Sequence, residues 1–190
     1  MTTDRQSPRP VGVIGLGAMG AGIAASLRRA GCRVHAYDIR PGVAAAFVEQ
    51  GGVACATLAD MAADCDIVVS VVVNASQTEA VLFGEGGIAS TLRPGSVFVM
   101  CSTVDPTWSA ALETRLAALG IHYLDAPISG GAAKAAAGQM TMMTAGTAAA
   151  YAACGDVLES MAGKVYRLGD RAGAGLSLIH ISEPTRLLSI

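Results

Sequence analysis

Charge is scarce in this chain. Only 15% of the 190 residues are Asp, Glu, Lys or Arg, and the formal net charge is −2 with no basic tract. That balance excludes nucleic acid and an anionic membrane surface as expected partners. Clustered metal ligands are missing as well. The five cysteines, Cys32, Cys55, Cys65, Cys101 and Cys154, never stand at C-x-x-C spacing, and His35, His122 and His180 are equally scattered. A zinc site needs grouped ligands, so no metal is expected. An odd, dispersed set of thiols fits a reducing cytosol, and the plain reading of all five is as small core residues. No stretch approaches the roughly 18 apolar residues of a membrane helix. The polar N-terminus, residues 1–10, has no apolar run after its charges and is no signal peptide. Internal repeats at solenoid spacing are absent. The expectation is a soluble, cytoplasmic, non-membrane protein.

Hydrophobic residues make up 52% of the chain, a globular composition. The length suits one domain with a real core, or one domain and part of a second. Short β-branched runs alternate with alanine-rich helical stretches. Strands are predicted over residues 11–14, 33–37, 66–73, 96–100, 121–124, 140–144 and 164–168. Helices are predicted over 18–30, 41–50, 58–63, 77–83, 105–119 and 148–161. Gly31 is placed to close the first helix, Pro41 lies near the first turn of the second, and Pro106 stands at the first position of the fifth. The run Ile67-Val68-Val69-Ser70-Val71-Val72-Val73 reads as a central strand buried on both faces. This alternation predicts an α/β fold: a doubly wound, mostly parallel Rossmann sheet with right-handed crossovers.

Gly15-Leu16-Gly17-Ala18-Met19-Gly20 is a G-x-G-x-x-G between the first strand and the first helix. The motif alone is weak, but its position is the one the chemistry requires. Gly15 permits a tight turn, Gly17 lets a pyrophosphate approach the backbone, and Gly20 lets the helix pack closely on the strand. Free N–H groups at the helix start then face the phosphates. Asp38 ends the second strand about 18 residues after Gly20. An acid there accepts hydrogen bonds from the adenosine ribose and repels a 2′-phosphate, so NAD is expected over NADP. Arg40 lies close enough to soften that preference. Asn74 and the Ser102-Thr103 pair follow strands at their carboxyl ends, where they could reach a cofactor; the plainer alternative for Asn74 is a capping or turn residue. The alternative for the whole motif is a glycine turn without a ligand. Asp125-Ala126-Pro127-Ile128-Ser129-Gly130-Gly131 follows the strand at 121–124. Its Ser-Gly-Gly turn gathers a hydroxyl and several N–H groups, a nest suited to a carboxylate, and a plain glycine turn is an equal alternative.

On these two motifs the chain resembles the β-hydroxyacid dehydrogenases, which include 3-hydroxyisobutyrate dehydrogenase. That family carries G-L-G-x-M-G and a D-A-P-V-S-G-G loop; here Ile128 replaces the valine. The continuation Ala135-Ala136-Ala137-Gly138-Gln139-Met140-Thr141 is also similar, and the likeness spans residues 11–175. Around residues 72–84 it is strongest to the branch that oxidises the sugar acid L-threonate with NAD. The resemblance implies that Ser129, Gly130 and Gly131 hold the carboxylate of a small hydroxy acid, that Gly15, Leu16, Gly17, Ala18, Met19, Gly20, Asp38, Asn74 and Thr103 hold the cofactor, and that Thr103 meets its nicotinamide end.

The family's catalytic lysine follows a G-x-G-A-G-like turn on a long helix that also carries an asparagine. This chain reaches the turn at Ala172-Gly173-Ala174-Gly175 and then shows neither residue. Lys134 and Lys164 are its two lysines, and by position neither is the family's. Residues 176–190 resemble the translation of a sequencing-library adapter, so they are read as a non-native tail, and His180 is not recruited as a base. The expectation is therefore the NAD-binding part of a CH–OH dehydrogenase, residues 11–175. The family's helical C-terminal domain, through which the parent enzyme would form a homo-oligomer, is missing, and the fragment is inactive. Two alternatives stay open: a non-catalytic NAD-binding module, and a relative that reduces imines or semialdehydes.

Overall fold

The structure is a computed structural model in which residues 9–174 are described. Nearly all of the polar N-terminal segment and all of residues 176–190, His180 included, lie outside the described residues. In chain order the elements are β1 (Pro10–Ile14), α1 (Ala18–Arg29), β2 (Arg33–Tyr37), α2 (Val43–Val48), β3 (Val53–Ala54), α3 (Leu58–Asp64), β4 (Ile67–Ser70) and α4 (Ala75–Phe83). There follow a short 3₁₀ turn (Ile88–Ser90), β5 (Val97–Met100), α5 (Pro106–Ala117), β6 (His122–Asp125), β7 (Ile128–Ser129), α6 (Gly131–Ala137), β8 (Met140–Gly146), α7 (Ala148–Met161) and β9 (Ala162–Gly169).

The strands form one sheet in the order β3-β2-β1-β4-β5-β6-β8-β7, with β9 also paired to β8. All pairs from β3 to β6 are parallel, as is β8 with β9; β8 runs antiparallel to β6 and β7. The expected doubly wound, mostly parallel α/β sheet is what the chain adopts.

Period-2 alternation splits the core between the two faces of the sheet. Val11, Val13, Ile67, Val69, Val97 and Val99 pack with Ile23 and Leu27 of α1 and Val157 and Met161 of α7. Val68, Phe98, Met100 and Tyr123 face the other way, onto Met61 of α3, Leu82 of α4 and Leu112 of α5. A parallel sheet covered on both faces requires strands apolar at nearly every position, and β4 is buried at all four of its residues.

Local signals set several boundaries. Helix α1 ends where Gly31 turns to φ +93, a backbone conformation that glycine adopts without Cβ strain. Asp105 caps α5 through hydrogen bonds from Thr107 and Trp108 N–H, and Pro106 opens the helix. Thr57 and Asp60 close a reciprocal capping box on α3.

Four expectations are corrected. The strand predicted over 66–73 stops at Ser70; after the Val71 N–H bond to Ile14 C=O the chain leaves the sheet, and Val73 is 79% exposed. The helix over 41–50 shrinks to Val43–Val48, because Gly42 takes φ +79 just before it. The helix over 77–83 begins earlier, since Asn74 caps it. Besides the 3₁₀ turn, three elements were not foreseen: β3, β7 and α6. Each is short, and each is held by partners distant in sequence rather than by its own periodicity.

Candidate functional site

Parallel register brings the sequence-predicted residues to one edge of the sheet. Tyr37 pairs with Ile14, Ile14 with Ser70, Ser70 with Met100 and Met100 with Asp125. The ladder continues for one more residue through Val71 N–H to Ile14 C=O (2.8 Å), Cys101 N–H to Ser70 C=O (2.9 Å) and Ala126 N–H to Met100 C=O (2.8 Å). Beyond that row the chain turns away, leaving the glycine loop, Asp38, residues 71–74, Ser102-Thr103 and the Ser129 loop along a single rim. The strand order reverses at β1, which lies between β2 and β4. Ligands of open α/β sheets bind at such a switch point, outside the carboxyl ends of the strands.

The three glycines of the cradle differ in what demands them. Gly15 has φ +89, and a Cβ there would sit 2.5 Å from Val71 O. A Cβ on Gly20 would come within 1.8 Å of Gly15 O. Both are fixed by the fold itself. Gly17 is not: its backbone is extended (φ −64, ψ −175), and a Cβ there would meet nothing among the described residues within 4 Å. It is also the N-cap of α1, where no side chain accepts from the first-turn N–H groups. Leu16 and Gly20 are buried, whereas Gly17 and Ala18 are exposed and Met19 half-buried.

Asp38 follows β2, and its side chain is only 4% exposed. Its Oδ2 accepts from Leu16 N–H at 2.7 Å and from Arg40 Nη2 at 2.9 Å; its Oδ1 accepts from Arg40 N–H and Arg40 Nε, both at 2.9 Å. The Arg40 guanidinium is the main reason this carboxyl is held well below the usual carboxylate range; Leu16 N–H adds to the effect and burial opposes it. Asp38 thus ties the glycine loop to the end of β2. The sequence placed Arg40 nearby but did not show that it fills the carboxylate.

Asn74 acts as the N-cap of α4, its Oδ1 accepting from Gln77 N–H at 2.9 Å; this is the capping alternative. Ser102 is buried and donates to Val72 C=O at 2.6 Å, whereas Thr103 is exposed on the rim. Ser129 is exposed at the end of β7, and the next two residues take positive φ, +138 at Gly130 and +77 at Gly131. Helix α6 behind this loop lies against α1, where a Cβ on Gly22 would meet Ala136 N at 2.7 Å. The two loops are therefore braced on each other. Lys134 is exposed on α6.

One buried network escaped the sequence reading. Asp125, 1% exposed, accepts through Oδ2 from Ser109 Oγ and from Gly173 N–H, both at 3.0 Å, while its Oδ1 has no hydrogen-bond partner among the described residues. Ser109 Oγ also lies 2.9 Å from Tyr123 Oη. Glu113, on the same helix face as Ser109, accepts from Ala172 N–H at 3.3 Å. Together these groups fasten the turn at 171–174 onto the back of the Asp125 loop. Burial pushes the Asp125 carboxyl up, against the hydrogen bonds from Gly173 and Ser109. The sequence signal was an acid at the last position of the strand His122–Asp125. Ile39, 88% exposed, and Val73 are further rim residues that were missed.

A groove of about 490 Å³ runs between α4 and α5, lined by Phe83, Trp108 and Glu79 among others. It shares none of the predicted site residues. Among the described residues no group of His, Cys, Asp and Glu could hold a metal ion, and no helix is long and apolar enough to cross a membrane.

Known proteins are similar to this chain. A family described as the NAD binding domain of 6-phosphogluconate dehydrogenase matches residues 10–169. An L-threonate dehydrogenase of Cupriavidus necator is 56% identical over 175 residues, covering 92% of this chain and 59% of the relative. One from Pectobacterium atrosepticum is 44% identical over 179 residues, 93% of this chain and 59% of the relative. A crystal structure of 3-hydroxyisobutyrate dehydrogenase from Salmonella typhimurium superposes with a TM-score of 0.86 at 40% identity, covering 91% of this chain and 60% of that one. The chain thus spans about three-fifths of the length of these relatives.

Proposed function

Because the chain belongs to the NAD-binding domain family of 6-phosphogluconate dehydrogenase, we propose that its rim site holds NAD and that it is the cofactor-binding part of a hydroxyacid dehydrogenase of the L-threonate type. Gly17 carries this reading. The fold gives it an ordinary φ and open space, so beyond the mild N-cap preference for glycine no steric demand among the described residues requires one there. A pyrophosphate lying against the backbone does require one. The first-turn N–H groups of α1 donate to the phosphates, assisted by the helix dipole. Asp38 takes the ribose hydroxyls, Ile39 and Val73 offer apolar contact to the flat rings, and Thr103 stands at the nicotinamide end. Asn74 contributes its amide nitrogen, its oxygen being engaged in the α4 cap.

Ser129 and the turn amides of Gly130 and Gly131 bind the carboxylate of the hydroxy acid. Bound NAD supplies the hydride acceptor. A proton acceptor for the substrate hydroxyl is not found among the described rim residues; the resemblance implies a lysine just beyond the 171–174 turn, and residues 175–190 contain none. The 190-residue chain alone is therefore proposed to turn over little or no L-threonate.

Titration with NADH, followed by nicotinamide fluorescence, tests the reading. The chain binds at sub-millimolar NADH, and Gly17→Ala keeps the thermal transition of the parent while weakening binding by about tenfold or more, the scale of one lost phosphate contact. Equal binding by parent and Gly17→Ala chains, or no binding at millimolar NADH, would refute it. Vigorous L-threonate oxidation by the chain would refute the proposed inactivity.

A further inference from the structure

We propose that Arg40 is a specificity-determining residue that competes with the adenosine ribose for Asp38 and so sets the discrimination between NAD and NADP. The inference rests on the rim being the dinucleotide site. An ionised carboxylate offers about four lone-pair sites. Asp38 has four donors on them: Leu16 N–H, Arg40 N–H, Arg40 Nε and Arg40 Nη2. None is left for a ribose. Two of the donors are backbone groups fixed by the glycine loop and the strand end. The other two belong to a side chain that is 57% exposed and can rotate away.

The division between the two oxygens matters. Arg40 Nε sits on Oδ1 and Nη2 on Oδ2. Departure of the guanidinium therefore frees one acceptor site on each oxygen, which is the pattern a vicinal diol with two O–H donors needs. The backbone bonds from Leu16 and Arg40 keep the carboxylate aimed throughout. Arg40 acts as an intramolecular stand-in for the ribose, and NAD binds at the expense of that contact.

With NADP the same displaced guanidinium has a partner. A 2′-phosphate is a dianion that cannot approach Asp38 alone, but a planar guanidinium pairs with it bidentately. Arg40 thus weakens NAD binding and permits NADP binding, and the ratio of the two affinities is its signature. A purely structural role for the Arg40–Asp38 pair, holding the β2 end in place, would affect both cofactors alike.

The test is titration of the full chain, parent, Arg40→Ala and Arg40→Lys, with NADH and with NADPH at one ionic strength, after circular dichroism has established equal folding. Arg40→Ala is expected to bind NADH as tightly as the parent or a few-fold tighter. Its NADPH dissociation constant is expected to rise about tenfold or more, the scale of one lost charge-assisted pair. Arg40→Lys, a point charge without the fork, falls between. An unchanged NADPH-to-NADH ratio in Arg40→Ala, or parallel weakening of both, overturns the inference while leaving the cofactor site intact. Failure of the parent chain to bind either nucleotide removes the site reading itself, and the two failures are separate.

Discussion

Replacing Asp125 by alanine should destabilise the fold, whereas replacing it by asparagine should not, because the buried network needs the acceptor oxygen and not the charge. In the native state Oδ2 receives Ser109 Oγ–H and Gly173 N–H, each at 3.0 Å. Alanine leaves both donors buried without an acceptor, at a cost of about 1–3 kcal/mol each. Relief of a carboxylate whose Oδ1 has no partner among the described residues offsets part of this, so a net loss of about 2–4 kcal/mol is expected. For a chain of this size that lowers the thermal midpoint by roughly 5–15 °C. The Asp125→Asn side chain keeps one oxygen for both donors and removes the buried charge, which offsets the amide N–H group it places at the unpartnered Oδ1 position, so stability at pH 7 should stay within about 1–2 kcal/mol of the parent. The pH dependence separates the two ideas further. Burial raises the carboxyl in the folded chain, so the fold retains the proton longer than the unfolded state does. This group's contribution is most favourable below its unfolded value of about 3.9 and declines as pH rises through the raised one. Asp125→Asn abolishes that decline. Urea unfolding from pH 4 to 8, with hydrogen exchange at Gly173, measures both effects. An alanine variant as stable as the parent, or an asparagine variant as weak as alanine, would refute the reasoning.

Three other outcomes follow from single features. Gly20→Ala puts a Cβ within 1.8 Å of a main-chain oxygen that cannot move aside without rebuilding the cradle; a loss of more than about 2 kcal/mol in urea unfolding is expected, together with loss of NADH binding. His35 is buried beside Asp64, at 3.5 Å, and Cys55, at 3.9 Å, and burial lowers its pKa despite Asp64. Its folded form resists protonation, so stability present above about pH 6.5 is lost as pH falls; His35→Leu should flatten the unfolding free energy between about pH 7.5 and 5. Burial pushes Cys55 up to about 11 and Cys65, Cys101 and Cys154 up to about 12. Burial raises Cys32 as well, but it alone of the five is half-exposed, so it should be the first thiol alkylated by iodoacetamide at about pH 8, as read by mass spectrometry of the native chain.

Local patterns in the chain were enough to specify the βα alternation, the two-sided burial of the central strands, the glycine cradle and the acid one residue past β2. Each is written within a short window: a period of 2, a helix stop at Gly31, a proline at the first position of a helix, or a motif at a strand–helix junction. Whatever depends on a partner remote in the chain emerged only on folding. The β7 strand and the reversal of direction at β8 exist because residues near 128 and 142 meet, and α6 is held by its contact with α1 at Gly22. Likewise Asp38 and Asp125 could be placed at strand ends from their positions alone, but their hydrogen bonds could not. Whether a carboxylate is free for a ligand, shared with an arginine or sealed behind a serine depends on distances of about 3 Å across the fold, and a linear pattern does not encode those.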